Sequence, residues 1–108
     1  VINGKIPFVY LKYRPVDDRF SNTNSHATFE RKDDYLSFEE QQKILAFAEK
    51  VGLDYGELDV LRDNNDKRIY VVDVNNTPWG PPNHLPKKDH CKALEKLTKL
   101  FKEEFVVE

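Results

Sequence analysis

Two short segments carry oxygen donors where β-strands ordinarily carry apolar side chains. They are Gly56-Glu57-Leu58-Asp59-Val60-Leu61, and Tyr70-Val71-Val72-Asp73-Val74-Asn75 followed by Asn76-Thr77-Pro78-Trp79-Gly80-Pro81-Pro82. Sheet packing gains nothing from a carboxylate in mid-strand, so these groups point to a ligand. Side chains alternate between the two faces of a strand. Val71, Asp73 and Asn75 therefore share one face, leaving Tyr70, Val72 and Val74 for the core, and Glu57, Asp59 and Leu61 share a face of the preceding segment. A donor set of Asp59, Asp73 and Asn75 is all oxygen, which suits a hard cation, Mg2+ or Mn2+. Mg2+ commonly takes one or two protein carboxylates and completes its shell with phosphate oxygens and water.

Whether the two acids meet depends on the turn. Between the segments lies Arg62-Asp63-Asn64-Asn65-Asp66-Lys67, dense in turn formers, which reads as the loop of an antiparallel hairpin. A three-residue loop, with 63 facing 67, puts 59 opposite 71 and 57 opposite 73. Asp59 and Asp73 are then diagonal neighbours roughly 7 to 8 Å apart on one face. A two-residue loop would send Asp59 to the other face. Like charges this close repel by roughly several tenths of a kcal/mol, a penalty that a divalent cation removes. The competing reading is an acidic face that is simply solvated.

The elements that must position this hairpin follow from local pattern. Lys5–Tyr13 is rich in aromatic and β-branched residues after an Asn3-Gly4 turn signal and reads as a strand, with Pro7 pushing that end toward an edge or a strand start. Residues 14–36 lack a period and read as a long loop with a short extended piece around Ala27 to Glu30; loops of such length are often functional. Arg14 and Arg19 within it are fixed cations suited to phosphate oxygens, or to surface pairing with Asp17, Asp18 or Glu30. Ser37-Phe38-Glu39-Glu40 is a capping box opening a helix with an apolar stripe of Phe38, Ile44, Phe47, Ala48 and Val51, stopped by Gly52. Proline and glycine between Thr77 and Pro82 exclude regular structure there. From Lys87 to Glu104 the residues Leu94, Leu97, Leu100, Phe101 and Phe105 recur at helical spacing with lysines and glutamates outside, an amphipathic helix that packs on the sheet. The expected fold is α+β: an antiparallel sheet of the opening strand and the hairpin, with two helices packed on one face and the site on the other.

Composition bounds the function. A chain of 108 residues fits a single domain. A net charge of -2 gives no electrostatic footprint for nucleic acid or an anionic membrane, and 33% charged with 39% apolar residues is a globular composition. No apolar run approaches the length of a membrane span. The single Cys91 forms no internal disulfide, which suits a reducing cytoplasm. Adjacent His90 and Cys91 face different ways on a helix and have no CxxC or HxxxH partner, so zinc is not indicated. His26 and His84 lack a nucleophile or acid at triad spacing. With no Met and an opening Val1-Ile2-Asn3-Gly4 that already reads as sheet, the chain is expected to be a piece of something longer.

Taken together, Gly52 to Asp63, a turn, and Arg68 to Gly80 resemble the C-terminal lobe of the ATP-grasp superfamily, in which a hairpin carries an acid on its first strand and an acidic-x-Asn motif with a Pro-containing loop on its second. The likeness covers residues 37–82, and the opening strand loosely. It implies that Asp59 and Asp73 ligate Mg2+ (or Mn2+), with Asp73 able to bridge two ions and Asn75 completing the set, and that Leu61 and Val72 lie against the adenine of ATP. It implies γ-phosphoryl transfer to a small carboxylate-bearing substrate, giving an acylphosphate that an amine or similar nucleophile attacks. Two positions depart from the pattern. Asp73 stands where the family commonly has Glu, and Glu57 stands where some ligases have an Arg, which leaves Arg14 or Arg19 as the phosphate-binding, catalytic cation. The resemblance further implies that residues 1–108 are the C-terminal fragment of a longer cytoplasmic ligase, whose N-terminal portion carries the other ATP-binding lysines. The fragment alone would then neither bind ATP tightly nor turn over substrate; formation of a homo-oligomer stays open. The alternative is a non-catalytic α+β binding or scaffold module with a solvated acidic hairpin.

Overall fold

Local turn chemistry at the start of the chain decides how its strands are divided. The computed structural model describes residues 1–13, 26–78, 80–82 and 84–106. Its elements run β1 (Val9–Tyr13), β2 (His26–Glu30), a 3-10 turn (Lys32–Asp34), α1 (Phe38–Lys50), β3 (Glu57–Arg62), β4 (Ile69–Asn75) and α2 (Lys87–Phe105). The fold is α+β with antiparallel pairing, but the strands form two separate two-stranded sheets, β1–β2 and β3–β4, in place of the single sheet expected. Asn3 and Gly4 both have positive φ, 45° and 77°, in a tight turn that closes Ile2 and Lys5 onto each other through two backbone hydrogen bonds. Asn-Gly suits that turn because both central residues must be left-handed. The turn then docks on the residues before β3: Asn3 N donates to Asp54 O at 2.6 Å, and Val1 and Gly56 exchange backbone bonds of 2.8 and 3.1 Å. With Lys5 N committed to Ile2 and Pro7 lacking an N–H, regular pairing begins only at Val9.

The helix α1 forms as its caps dictate. Ser37 Oγ accepts from Glu40 N at 3.1 Å and Ser37 N donates to Glu40 Oε1 at 2.9 Å. At the other end Gly52, at φ 77°, donates to Glu49 O while Leu53 N donates to Ala48 O at 2.8 Å, a Schellman closure. The apolar arc of α1 covers about half the helix circumference, and only its centre is buried. Gln41, Ile44 and Ala48 face inward, whereas Phe38, Phe47 and Val51 stay exposed. Gln41 is tolerated in that position because its amide donates to Asp33 Oδ1 at 2.8 Å and Leu36 O at 3.1 Å.

The two helices are anchored to different strands. α2 lies against β2, while α1 is held to the β3–β4 hairpin by Arg62, whose guanidinium grips Glu40 through two 2.8 Å bonds and also donates to Tyr35 O and Lys67 O. On α2 the inward line is Ala93, Leu97, Leu100 and Glu104, with Leu94 and Phe101 exposed. Glu104 fixes that rotation by accepting from Lys5 Nζ and from Asn3 Nδ2 at 3.0 Å. Phe101 stands edge-on to Tyr55, with ring centroids 5.6 Å apart. Around these contacts Ile2, Ile6, Phe8, Ala27, Leu53 and Leu85 form the buried core. Among the described residues no helix is long and apolar enough to cross a membrane.

Gly56 sits where backbones meet. A Cβ built there lies 2.4 Å from Asn75 O and 2.6 Å from Leu53 Cδ1, whereas one at Gly52 meets nothing. Gly56→Ala is therefore expected to cost about 2 kcal/mol or more through overpacking, against about 1 kcal/mol for Gly52→Ala from its left-handed backbone alone. Urea unfolding midpoints of the two variants check the order; equal losses would contradict the close approach.

Candidate functional site

The hairpin closes differently from the three-residue loop expected. Asp63 pairs with Arg68, leaving four residues between them. Asp63 Oδ1 accepts from Asn65 N at 2.6 Å, Asp66 Oδ1 accepts from Arg68 N at 2.8 Å, and Lys67 takes φ 62°. Each aspartate thus captures a backbone N–H two residues on, which favours the longer turn. From it the ladder runs Arg62 opposite Ile69, Leu61 opposite Tyr70 and Val60 opposite Val71. Continued without interruption, it would set Asp59 against Val72 and leave Asp73 on the other face. A β-bulge intervenes: Val72 has no rung, and pairing resumes with Asp59 opposite Asp73, Leu58 opposite Val74 and Glu57 opposite Asn75.

The acids therefore meet directly, not diagonally. Side chains on one rung have Cβ atoms about 5 Å apart, and Asp59 and Asp73 are both exposed. Asp73 Oδ1 also accepts from Val74 N at 3.0 Å. Asn75 shares the face two rungs on, but its Oδ1 accepts from Thr77 N at 2.9 Å and Thr77 Oγ1 at 3.3 Å, which commits that oxygen to holding the turn after β4. The expected core role of Tyr70, Val72 and Val74 does not hold either, since they are 47%, 56% and 40% exposed. Tyr70 is carried to the acidic side, opposite Leu61, and its hydroxyl donates to Asp66 Oδ2 at 2.6 Å. Leu61 and Tyr70 make an exposed apolar rung on the face of the acids, while Val72 has no rung at all.

No family model, curated protein or solved structure matches the chain. The residues themselves carry the rest. Arg14 and Arg19 lie outside the described residues. The donors present are hard oxygens, as Mg2+ or Mn2+ requires, yet among the described residues no three His, Cys, Asp or Glu side chains are arranged to hold a metal by themselves. The hairpin offers two opposed carboxylates, and a bound ion would draw its other ligands from water or a ligand's oxygens.

Glu57 is the residue that reading by motif left out of the donor set, although its place two residues before Asp59 put it on the acidic face. It is half-buried, and burial is the main cause pushing its carboxyl above the usual range. Asp59 pushes in the same direction, and Lys12 on β1 opposes both. Burial likewise raises the Tyr10 phenol, with the Glu57 and Tyr55 charges adding to it, and the Tyr10 hydroxyl is buried without a hydrogen-bond partner among the described residues. Glu57 thus links the hairpin's acidic face to the inner side of β1.

A carboxyl whose folded-state value is raised contributes stability below its unfolded value and loses it as pH rises through the folded one. Glu57→Gln removes that loss, so the variant's gain in melting temperature is expected to be larger, by a few degrees, at pH 7.5 than at pH 4. The opposite holds at Glu40. The Arg62 fork and the Ser37 backbone hold its carboxyl down at about 2, so its stabilisation persists until pH falls toward that value. Thermal melts of the wild type and Glu57→Gln at both pH values check this; equal gains would contradict it.

Proposed function

We propose that the β3–β4 hairpin is the cation-holding wall of a nucleotide site in the C-terminal lobe of an ATP-dependent, ATP-grasp-type ligase of the cytoplasm. The observation that carries this reading is the bulged register, which sets Asp59 against Asp73 on one rung and Glu57 against Asn75 two rungs on, all on one face. Opposed like charges destabilise a strand pair, and a shared hard cation turns that repulsion into attraction. Asp59 and Asp73 would hold Mg2+ or Mn2+, and the exposed Leu61–Tyr70 rung beside them is a flat apolar surface of the kind an adenine ring covers. Asn75 keeps Thr77 and the proline-bearing loop in place. Held by Asp59 and Asp73, such an ion would neutralise phosphate charge during transfer to a small carboxylate substrate. The remaining phosphate cations belong to the rest of the protein, with Arg14 and Arg19 the candidates in this chain.

A specific observation also favours the second reading, a non-catalytic binding or scaffold module. Asp59 and Asp73 are exposed to water, and the Asn75 oxygen is already committed to its turn. Calorimetric titration of MgATP into the protein with its native upstream sequence separates the two. Saturable, Mg2+-dependent binding that weakens at least about tenfold, roughly 1.4 kcal/mol, in both Asp59→Asn and Asp73→Asn is expected. Residues 1–108 alone are expected to show no micromolar ATP binding. Binding unchanged in both variants would overturn the ligase reading.

A further inference from the structure

We infer that the two sheets are the flanks of one antiparallel sheet, whose middle strand is an extended segment of polypeptide leading into Val1; this rests on the longer protein proposed above. Residues 1–3 already have the bonding of a middle strand. On one side Ile2 and Lys5 exchange backbone hydrogen bonds of 2.9 and 3.0 Å; on the other, Val1 and Gly56 exchange bonds of 2.8 and 3.1 Å, and Asn3 N donates to Asp54 O. Ile2 pairs antiparallel with both Lys5 and Tyr55, so β1 and β3 leave this stub in the same direction. Beyond it they share no rung, yet Tyr10 and Lys12 of β1 stay close enough to Glu57 for charge to act between them.

The open edge of β3 selects what lies there. Backbone groups of an antiparallel strand point alternately to its two neighbours. Gly56 faces Val1, so Leu58 and Val60 turn their N–H and C=O the same way, away from β4. Counting from the turn, where Asp63 N donates to Arg68 O, gives the same assignment, and Val74, opposite Leu58, gives its N–H to Asp73 Oδ1, as a residue not bonded across its rung does. Among the described residues the outward backbone groups of Leu58 and Val60 have no partner. A row of N–H and C=O at strand spacing is matched by another extended polypeptide, and a nucleic acid or a lipid surface carries no such row. With β1 on the far side the position takes a single strand, not the sheet edge of a second copy. The hairpin keeps its register without that strand, which supplies partners for the open groups. Carried back from Val1 and Gly56, the register sets the first and third residues before Val1 beside Glu57 and Asp59, and the second and fourth beside Leu58 and Val60. Opposite charges pair favourably across strands, so basic side chains belong at the former positions and apolar ones at the latter.

Amide hydrogen exchange followed by NMR tests this in the protein with its native upstream sequence, against residues 1–108. The Leu58 and Val60 amides are expected to exchange at least about tenfold more slowly in the longer protein. Proline placed second before Val1 cannot pair with Leu58 from a mid-strand position, and is expected to restore fast exchange there. The Asp59 and Leu61 amides, which face β4, report that the hairpin stays folded. Equal rates at Leu58 and Val60 in the two proteins, protection that the proline leaves intact, or protection that grows with protein concentration, as a second copy would give, would each overturn the inference. MgATP binding by a longer protein whose Leu58 and Val60 stay unprotected overturns it and leaves the ligase reading standing; protection without MgATP binding does the reverse.

Discussion

The register of one hairpin depends on a single unpaired residue. A four-residue turn, closed by Asp63 on Arg68, fixes the first three rungs of β3–β4, and those rungs alone would point Asp59 and Asp73 away from each other. Because side chains alternate every residue, a slip of one position moves a whole set to the other face. Val72 absorbs that slip as a bulge. Its cost is an unpaired, exposed valine, and its effect is a face on which Glu57, Asp59, Asp73 and Asn75 stand together. Bulges recur where a strand must re-aim side chains, and here the re-aimed side chains are the charged ones.

The surroundings hold that register from both ends. At the turn, Arg62 binds Glu40 with both arms and two backbone carbonyls besides, so the hairpin tip, the start of α1 and the segment before it are fixed together. Two-pronged guanidinium–carboxylate geometry gives directional hold beyond simple charge attraction, and the same Glu40 closes the capping box. At the open end, Gly56 lets β3 pass against the Asn75 carbonyl while exchanging hydrogen bonds with Val1. Between these anchors the hairpin needs no third strand to stay aligned. Ile2 is buried where the opening turn meets the segment before β3.

What the sequence made legible was local. The capping box at Ser37 and Glu40, the glycine stop at Gly52 and the Asn3-Gly4 turn are decided by residues a few positions apart, and each took the expected form. The face shared by Glu57 and Asp59 was legible because strand alternation is short-ranged. The meeting of Asp59 with Asp73 was foreseen through the wrong turn. Competition among Asp63, Asp66 and the left-handed Lys67 set the loop length, and no local signal marks Val72 as the residue left over. Helix faces were misjudged for a related reason: on α1 and α2 the apolar arcs are wider than the contact, and Glu104 and Gln41, both polar, took inward places that only distant partners explain. The division into two sheets was likewise invisible, since the local turn that delays β1 is docked by Asn3 on Asp54, distant in the sequence.

The most direct test of the account is the register itself. Nuclear Overhauser contacts between backbone protons of the two strands, in the isotope-labelled protein, should join Asp59 to Asp73 and Val60 to Val71, with Val72 lacking a cross-strand partner. Contacts joining Asp59 to Val71 and Glu57 to Asp73 in an unbroken ladder would contradict it, because the two carboxylates would then no longer face each other.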